Sequence, residues 1–355
     1  MYSLINRLAR PELLTMTPYQ SARRIGGSGD IWLNANESPF CNTEPAYNRY
    51  PEFQPQALID NYAAYSQLDT AQVLASRGAD EAIELLIRTF CVPGKDKITI
   101  CTPTYGMYAI SAATCNVAVN EVQLTSDWQL DEDLANKLGD SSLLFICNPN
   151  NPTGSTISVD TIEAIIQACS ERCIVVVDEA YIEFSPQLTS AKLINQYTNL
   201  VVLRTLSKAF GLAGLRCGFM LSNEYLINLV KKVIAPYPIP APVGDIAAKA
   251  LSPDGISLMR NQVATLNTLA NEFTQSVEKL EGVEAVYPTG ANFVLVRFND
   301  DSWFNALAKQ GIVVRNQSKV PTLERCLRFS IGDSEEMKRL TQVLTETAKQ
   351  LAPQI

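Results

Sequence analysis

Residues 205–219 read TLSKAFGLAGLRCGF, Thr205 to Phe219. They follow Leu200–Leu203, a short apolar run with the make-up of a buried strand. One lysine, Lys208, stands among hydroxyls and small residues, with Gly211, Gly214 and Gly218 after it. A lysine just past a buried strand can serve as a nucleophilic amine that forms a Schiff base. Thr205, Ser207 and Arg216 carry the hydroxyls and the guanidinium fork that suit a phosphate. Taken alone, the same run also suits an exposed loop with one solvated lysine.

Working outward, other apolar runs end in polar segments of the same kind. VVVDEAYIEF, Val175 to Phe184, puts Asp178 and Glu179 at the end of a strand-like run, thirty residues before Lys208. Unpaired carboxylates are costly there; one of them can hold a proton on a ring nitrogen, or cap the next turn. CNPNNPTG, Cys147 to Gly154, is a rigid polar turn after another run. Its Asn151 can donate an amide N–H to a ring oxygen, or only tighten the connection. SRGADEAIELL, Ser76 to Leu86, opens a helix at Gly78 and Ala79. Free N–H groups at a helix start suit a phosphate, while Asp80 is alternatively an N-cap. A Schiff-base amine, an anchor for a ring nitrogen, a donor to a ring oxygen and a phosphate cup are together what pyridoxal 5′-phosphate requires.

The runs Val73–Ser76, Lys97–Cys101, Leu143–Cys147, Ile174–Val177, Leu200–Leu203 and Gly218–Leu221 alternate with helical patterns. One such pattern starts near Asp80, with Ile83, Leu86, Ile87 and Phe90 on one face; another follows Ser158, with Ile162, Ile165 and Ile166. The alternation predicts an α/β domain with a mostly parallel central sheet, its ligand at the carboxyl ends of the strands. APYPIPAPVGD, Ala235 to Asp245, reads as a connection. Beyond it the pattern predicts one long helix from Asp245 to about Leu280 and strands over Phe293–Phe298, Ile312–Arg315 and Cys326–Ile331. A last helix, Ser334 to Leu351, completes a smaller α+β C-terminal domain. The expected division is an N-terminal arm over 1–30 that ends in the GGSGD turn, a large domain over 31–240 and a small domain over 241–355.

Composition narrows the chemistry. None of the 355 residues is histidine, so Ser-His-Asp and Cys-His mechanisms and histidine metal sites are excluded. Proton transfer falls to Lys, Tyr, Asp, Glu, Cys or a cofactor. Nine cysteines without a C-x-x-C pair read as reduced core thiols, with no metal site expected. The net charge of −8 argues against nucleic acid as a partner. No run of apolar residues is long enough to span a membrane and no signal-peptide core is present, so the cytoplasm is the expected location.

The spacing S-K-x-x-x-x-x-G-x-R-x-G, carried by Ser207, Lys208, Gly214, Arg216 and Gly218, resembles that of the fold-type-I pyridoxal-phosphate-dependent aminotransferases. More narrowly, TPYQSARR (Thr17 to Arg24), WLNANESP (Trp32 to Pro39), NRYPE (Asn48 to Glu52), PTYGMY (Pro103 to Tyr108) and CLRFSIG (Cys326 to Gly332) resemble the histidinol-phosphate aminotransferases of histidine biosynthesis. The resemblance implies ping-pong exchange of an amino group between histidinol phosphate and 2-oxoglutarate. It implies that Lys208 holds the cofactor and moves a proton, that Asp178 pairs with its ring nitrogen and that Tyr105 stacks on its ring. Asn151 and Tyr181 would bind the ring's phenolic oxygen. Ala79 and Asp80, through backbone N–H groups, and Thr205, Ser207 and Arg216 would hold the phosphate. Tyr50 would reach the cofactor phosphate of a neighbouring subunit, which makes a homodimer the expected assembly. Arg328 would bind the substrate's anionic group, with Tyr19, Arg23, Asn36 and Arg315 as further substrate contacts. An aromatic-amino-acid aminotransferase or a threonine-phosphate decarboxylase of the same fold would keep the same cofactor residues. A nicotinamide-dependent dehydrogenase would need a G-x-G-x-x-G after a strand, which is missing.

Overall fold

A computed structural model describes residues 2–22 and 30–351. Its larger sheet has seven strands: β1 (Val73–Ser76), β2 (Lys97–Thr102), β3 (Ala118–Gln123), β4 (Leu143–Cys147), β5 (Ile174–Asp178), β6 (Leu200–Thr205) and β7 (Gly218–Ser222). Their spatial order is β1-β7-β6-β5-β4-β2-β3, and only β7 runs against its neighbours.

Alternation explains why the central strands are apolar throughout. Leu144, Ile146, Val175, Val177 and Val202 project to one face, under the helices Gln56–Ser66 and Val159–Ala168. Leu143, Phe145, Ile174, Val176 and Val201 project to the other, under the helices Ala79–Phe90, Met107–Thr114 and Glu224–Val230. Both faces are covered, so no position in these strands favours a polar residue until the strand ends. Each fully buried Val or Leu contributes about 1.5–3 kcal/mol. Residues 3–15 form two short helices whose Ile5 and Ala9 join the second of these clusters, and Arg7 donates to Glu171 O at 2.6 Å.

The second sheet, ordered β10-β11-β9-β8, is antiparallel: β8 (Val283–Val286), β9 (Phe293–Phe298), β10 (Arg315–Asn316) and β11 (Cys326–Ser330). It packs on the helices Pro253–Val277 and Ser334–Leu351 through Phe273, Phe298, Phe329 and Leu344. The two sheets meet at a seam of Tyr181, Phe184, Met259, Val263 and Phe293.

Three differences from the sequence expectation have local causes. The expected long helix is two helices, Ala241–Ala250 and Pro253–Val277, and the first of them begins inside the proline-rich connection. Ser252 caps the second by accepting from Gly255 N at 3.2 Å, and Pro253 takes the first helical position, where its missing N–H costs nothing. The short pairing β10 lies over Arg315–Asn316, at the end of the apolar run rather than within it. The edge strand β3 (AVNEVQ) was not expected, because only Val122 of it is buried.

Candidate active site

The polar residues that interrupt the apolar runs gather at one edge of the large sheet. Register places Cys147 beside Asp178 and Asp178 beside Leu203, so β4, β5 and β6 end together. The start of β7 lies opposite Ser76 and Thr205, which brings the loop after β1 to the same edge. A cavity of about 590 Å³ opens there, and β10 and β11 of the second sheet close its far side.

The cup at one end is built from backbone proximity. Gly78 has φ +83°, a conformation that only glycine adopts freely, and it delivers the helix Ala79–Phe90 N-terminus first. A Cβ on Gly218 would lie 2.5 Å from Gly78 C and 2.6 Å from Ala79 N, so β7 reaches this helix start only as glycine. Arg216 lies 3.2 Å from Asp80 Oδ2, and its Nη1 donates to Ser207 Oγ at 3.5 Å. Thr205 Oγ1 donates to Ser207 Oγ at 2.9 Å. Two hydroxyls, a guanidinium and helix N–H groups without a partner among the described residues thus line one end of the cavity, a set that fits a phosphate. Gly218→Ala is expected to push strand from helix and destabilise the fold by about 1–3 kcal/mol. Urea unfolding checks this, since an unchanged midpoint would show that the contact is slack.

Lys208 stands three residues past β6, with Nζ 5.4 Å above the centre of the Tyr181 ring. Burial lowers its pKa, and the Arg328 cation lowers it further, which favours the neutral, nucleophilic amine. Asp178 ends β5 with 2% of its surface exposed. Burial pushes its carboxyl up to about 6, against the opposing hydrogen bonds from Tyr108 and Ala180. Tyr105 lines the cavity and donates to Asp80 Oδ1 at 3.0 Å. Asn151 Nδ2 donates to Tyr181 Oη at 3.3 Å, while burial raises the Tyr181 pKa.

From the second sheet come Arg315, Gln317 and Arg328. Arg315 and Arg328 face each other across β10 and β11. The Arg328 guanidinium lies 5.0 Å over the Phe293 ring, and Nη1 donates to Asn151 Oδ1. Its Nε is buried without a protein acceptor among the described residues. Two adjacent guanidiniums with a spare donor make an anion site facing the lysine.

Ala79, Asp80, Tyr105, Asn151, Asp178, Tyr181, Thr205, Ser207, Lys208, Arg216, Arg315 and Arg328 therefore line one cavity. Asn36 and Tyr50 line a different hollow, where Tyr50 stacks on Tyr237 with ring centres 4.4 Å apart. Tyr19 lies on the surface, 67% exposed, and Arg23 falls outside the described residues. The polar pair on β5 splits: Glu179 turns away to Arg204, 2.7 Å off, in a buried ion pair that Glu183 joins at 3.8 Å. Two residues of the site went unassigned in the sequence. Tyr108 only closes the PTYGMY stretch and is given no role there, and the one sequence signal for Gln317 is its place two residues after Arg315.

The family described as aminotransferase class I and II matches residues 29–344. The chain belongs to that family. Histidinol-phosphate aminotransferase from Cronobacter sakazakii is 51% identical to this aminotransferase over 348 residues, 96% of this chain and 97% of that one. Among solved structures, the histidinol-phosphate aminotransferase from Clostridium acetobutylicum superposes with a TM-score of 0.80 at 25% identity, covering 86% of this chain and 92% of the other. That from Sinorhizobium meliloti, solved in complex with pyridoxal 5′-phosphate, gives 0.79 at 24% identity over 86% of this chain and 84% of its own. The last of these speaks for the fold, a mostly parallel sheet with a smaller antiparallel one.

Proposed function

We propose that this aminotransferase transfers the amino group between histidinol phosphate and 2-oxoglutarate with pyridoxal 5′-phosphate in the cavity described above. The observation that carries it is convergence: a half-buried lysine, a buried carboxylate and a phosphate cup from the large sheet meet two arginines from the small one. The donor set fits the cofactor. Ala79 and Asp80 N–H, Thr205, Ser207 and Arg216 would hold its phosphate, Asp178 its ring nitrogen, Asn151 and Tyr181 its ring oxygen, and Lys208 its aldehyde carbon. When bound, pyridoxal 5′-phosphate supplies a protonated ring that draws electron density from the breaking Cα–H bond of the amino donor.

The chain's own groups do the rest. Lys208 Nζ, once free, would take the proton from the substrate Cα and deliver it to the carbon that carries the cofactor's aldehyde, which is why the chain needs no histidine. Asp178 keeps the ring-nitrogen side anionic. Tyr105, held by Asp80, forms a wall of the ring pocket. Arg328 and Arg315 clamp the anionic end of either substrate, a phosphate or a carboxylate, and so align Cα with Lys208.

Support for the substrate comes from relatives at about half identity over nearly the whole chain that are called histidinol-phosphate aminotransferase. The proposal extends to a homodimer in the cytoplasm, with Tyr50 contributed to a neighbouring copy, and to the division at residues 30 and 240. No helix among the described residues is long and apolar enough to cross a membrane. Purified protein supplied with pyridoxal 5′-phosphate should turn over histidinol phosphate with 2-oxoglutarate far faster than phenylalanine or threonine phosphate. Initial rates should give parallel double-reciprocal lines, as for a two-stage covalent shuttle. Preference for phenylalanine would move the protein to another substrate class; intersecting lines would remove the shuttle.

A further inference from the structure

We propose that Tyr108 is the positioning residue for the ring-nitrogen anchor: its phenol, donating to Asp178 Oδ2 at 2.6 Å, fixes that carboxylate and keeps it ionised. This rests on pyridoxal 5′-phosphate being the ligand of the cavity.

Tyr108 has no exposed surface. Its ring stacks on Phe145 with centres 4.9 Å apart, and Tyr105 meets it edge-on at 5.7 Å, so the phenol has one direction in which to point. A buried tyrosine hydroxyl needs a partner, and here the partner is a carboxylate. The other carboxylate oxygen, Oδ1, accepts from Ala180 N at 3.1 Å. Each oxygen thus takes one protein donor on its protein side, which holds the plane of the group and leaves lone pairs for a ligand.

The electrostatic consequence has a definite sign. Burial alone drives Asp178 towards its neutral acid, and a neutral acid does not pair with a cationic ring. A hydrogen bond that exists only to the ionised oxygen opposes that drift. The other titratable groups facing Asp178 are Tyr105, Asp80, Cys147, Tyr181 and Lys208. Among these, Asp80 favours the neutral acid and Lys208 the ion. All of them remain when the Tyr108 hydroxyl is removed.

The test is Tyr108→Phe, which keeps the ring and its stacking. The dissociation constant of pyridoxal 5′-phosphate is measured from mildly acid to mildly alkaline pH, beside that of the 1-deaza analogue, which has C–H in place of the ring nitrogen. For the natural cofactor, Tyr108→Phe should bind about tenfold more weakly at neutral pH. The pH at which affinity is lost on the acid side should rise by about one unit. For the analogue, wild type and variant should bind alike. A variant with the wild-type pH profile, or an equal loss with the analogue, overturns the proposal and leaves Tyr108 as packing. A fluorinated tyrosine at position 108, a stronger donor of the same shape, should move the acid-side loss to lower pH; no movement there also overturns it, even if the phenylalanine variant does not fold. A wild-type protein that binds no cofactor and shows no borohydride-fixed adduct on Lys208 overturns the reading of the cavity itself, and this inference with it.

Discussion

Lys208→Ala is expected to abolish transamination while the protein remains folded. Among the described residues Lys208 is the one amine lining the cavity, so no second lysine stands there to replace it. Proton transfer by a placed side chain is worth about 10²–10⁴-fold by itself. The loss here should exceed that, because the covalent hold on the cofactor disappears as well. The fold should tolerate the change. Lys208 sits partly buried, repelled by the Arg328 cation and attracted by Asp80 and Asp178, so its removal costs little net charge interaction. Rates with glutamate and with histidinol phosphate, set against far-ultraviolet circular dichroism and thermal melting, check both halves. Near-normal rates in a folded variant would remove Lys208 from the chemistry.

The second large effect is expected at Arg328. Its guanidinium lies over Phe293 and is tied to Asn151, and among the described residues Nε has no acceptor of its own. An anionic substrate would supply that acceptor in a site shielded from water, where a charge-assisted pair is strong. Truncating one partner of such a pair costs about 2–5 kcal/mol, much of it from the charge left without a mate. Arg328→Ala should therefore raise KM for both glutamate and histidinol phosphate by about 30-fold or more, a factor equivalent to the lower figure. The fall in kcat should be smaller, since Lys208 and Asp178 are untouched. Unchanged KM for both substrates would show that the anion lies elsewhere. If only the phosphate substrate is affected, the carboxylate belongs to Arg315.

Much of this candidate site is readable from residue order, because most residues proposed for the cofactor sit where an apolar strand gives way to polar chain. Asp178 ends β5, Asn151 and Lys208 lie in the loops just after β4 and β6, and the sheet then carries them together. The unread parts have a common cause: their signal lies in pairing across space. Tyr108 only closes the PTYGMY stretch in the sequence, and its 2.6 Å bond to a residue seventy positions away is what gives it a role. Gln317 is buried only because β10 pairs with β11. Glu179 looks equivalent to Asp178 in sequence, yet strand alternation sends it to the opposite side, where Arg204 meets it. The edge strand β3 escapes notice because a strand at the rim needs one buried residue, and a pattern of one is no pattern.

The cavity belongs to neither sheet alone. Within the cavity, every group proposed for the cofactor hangs from the seven-stranded sheet, whereas Arg315, Gln317 and Arg328 ride on a ribbon of the four-stranded one. Reactivity and selectivity are therefore written on separate pieces of polypeptide. A lineage that altered the ribbon would change which acid is admitted while inheriting the reaction intact, so one scaffold can be retuned to new metabolites without reinventing its catalyst.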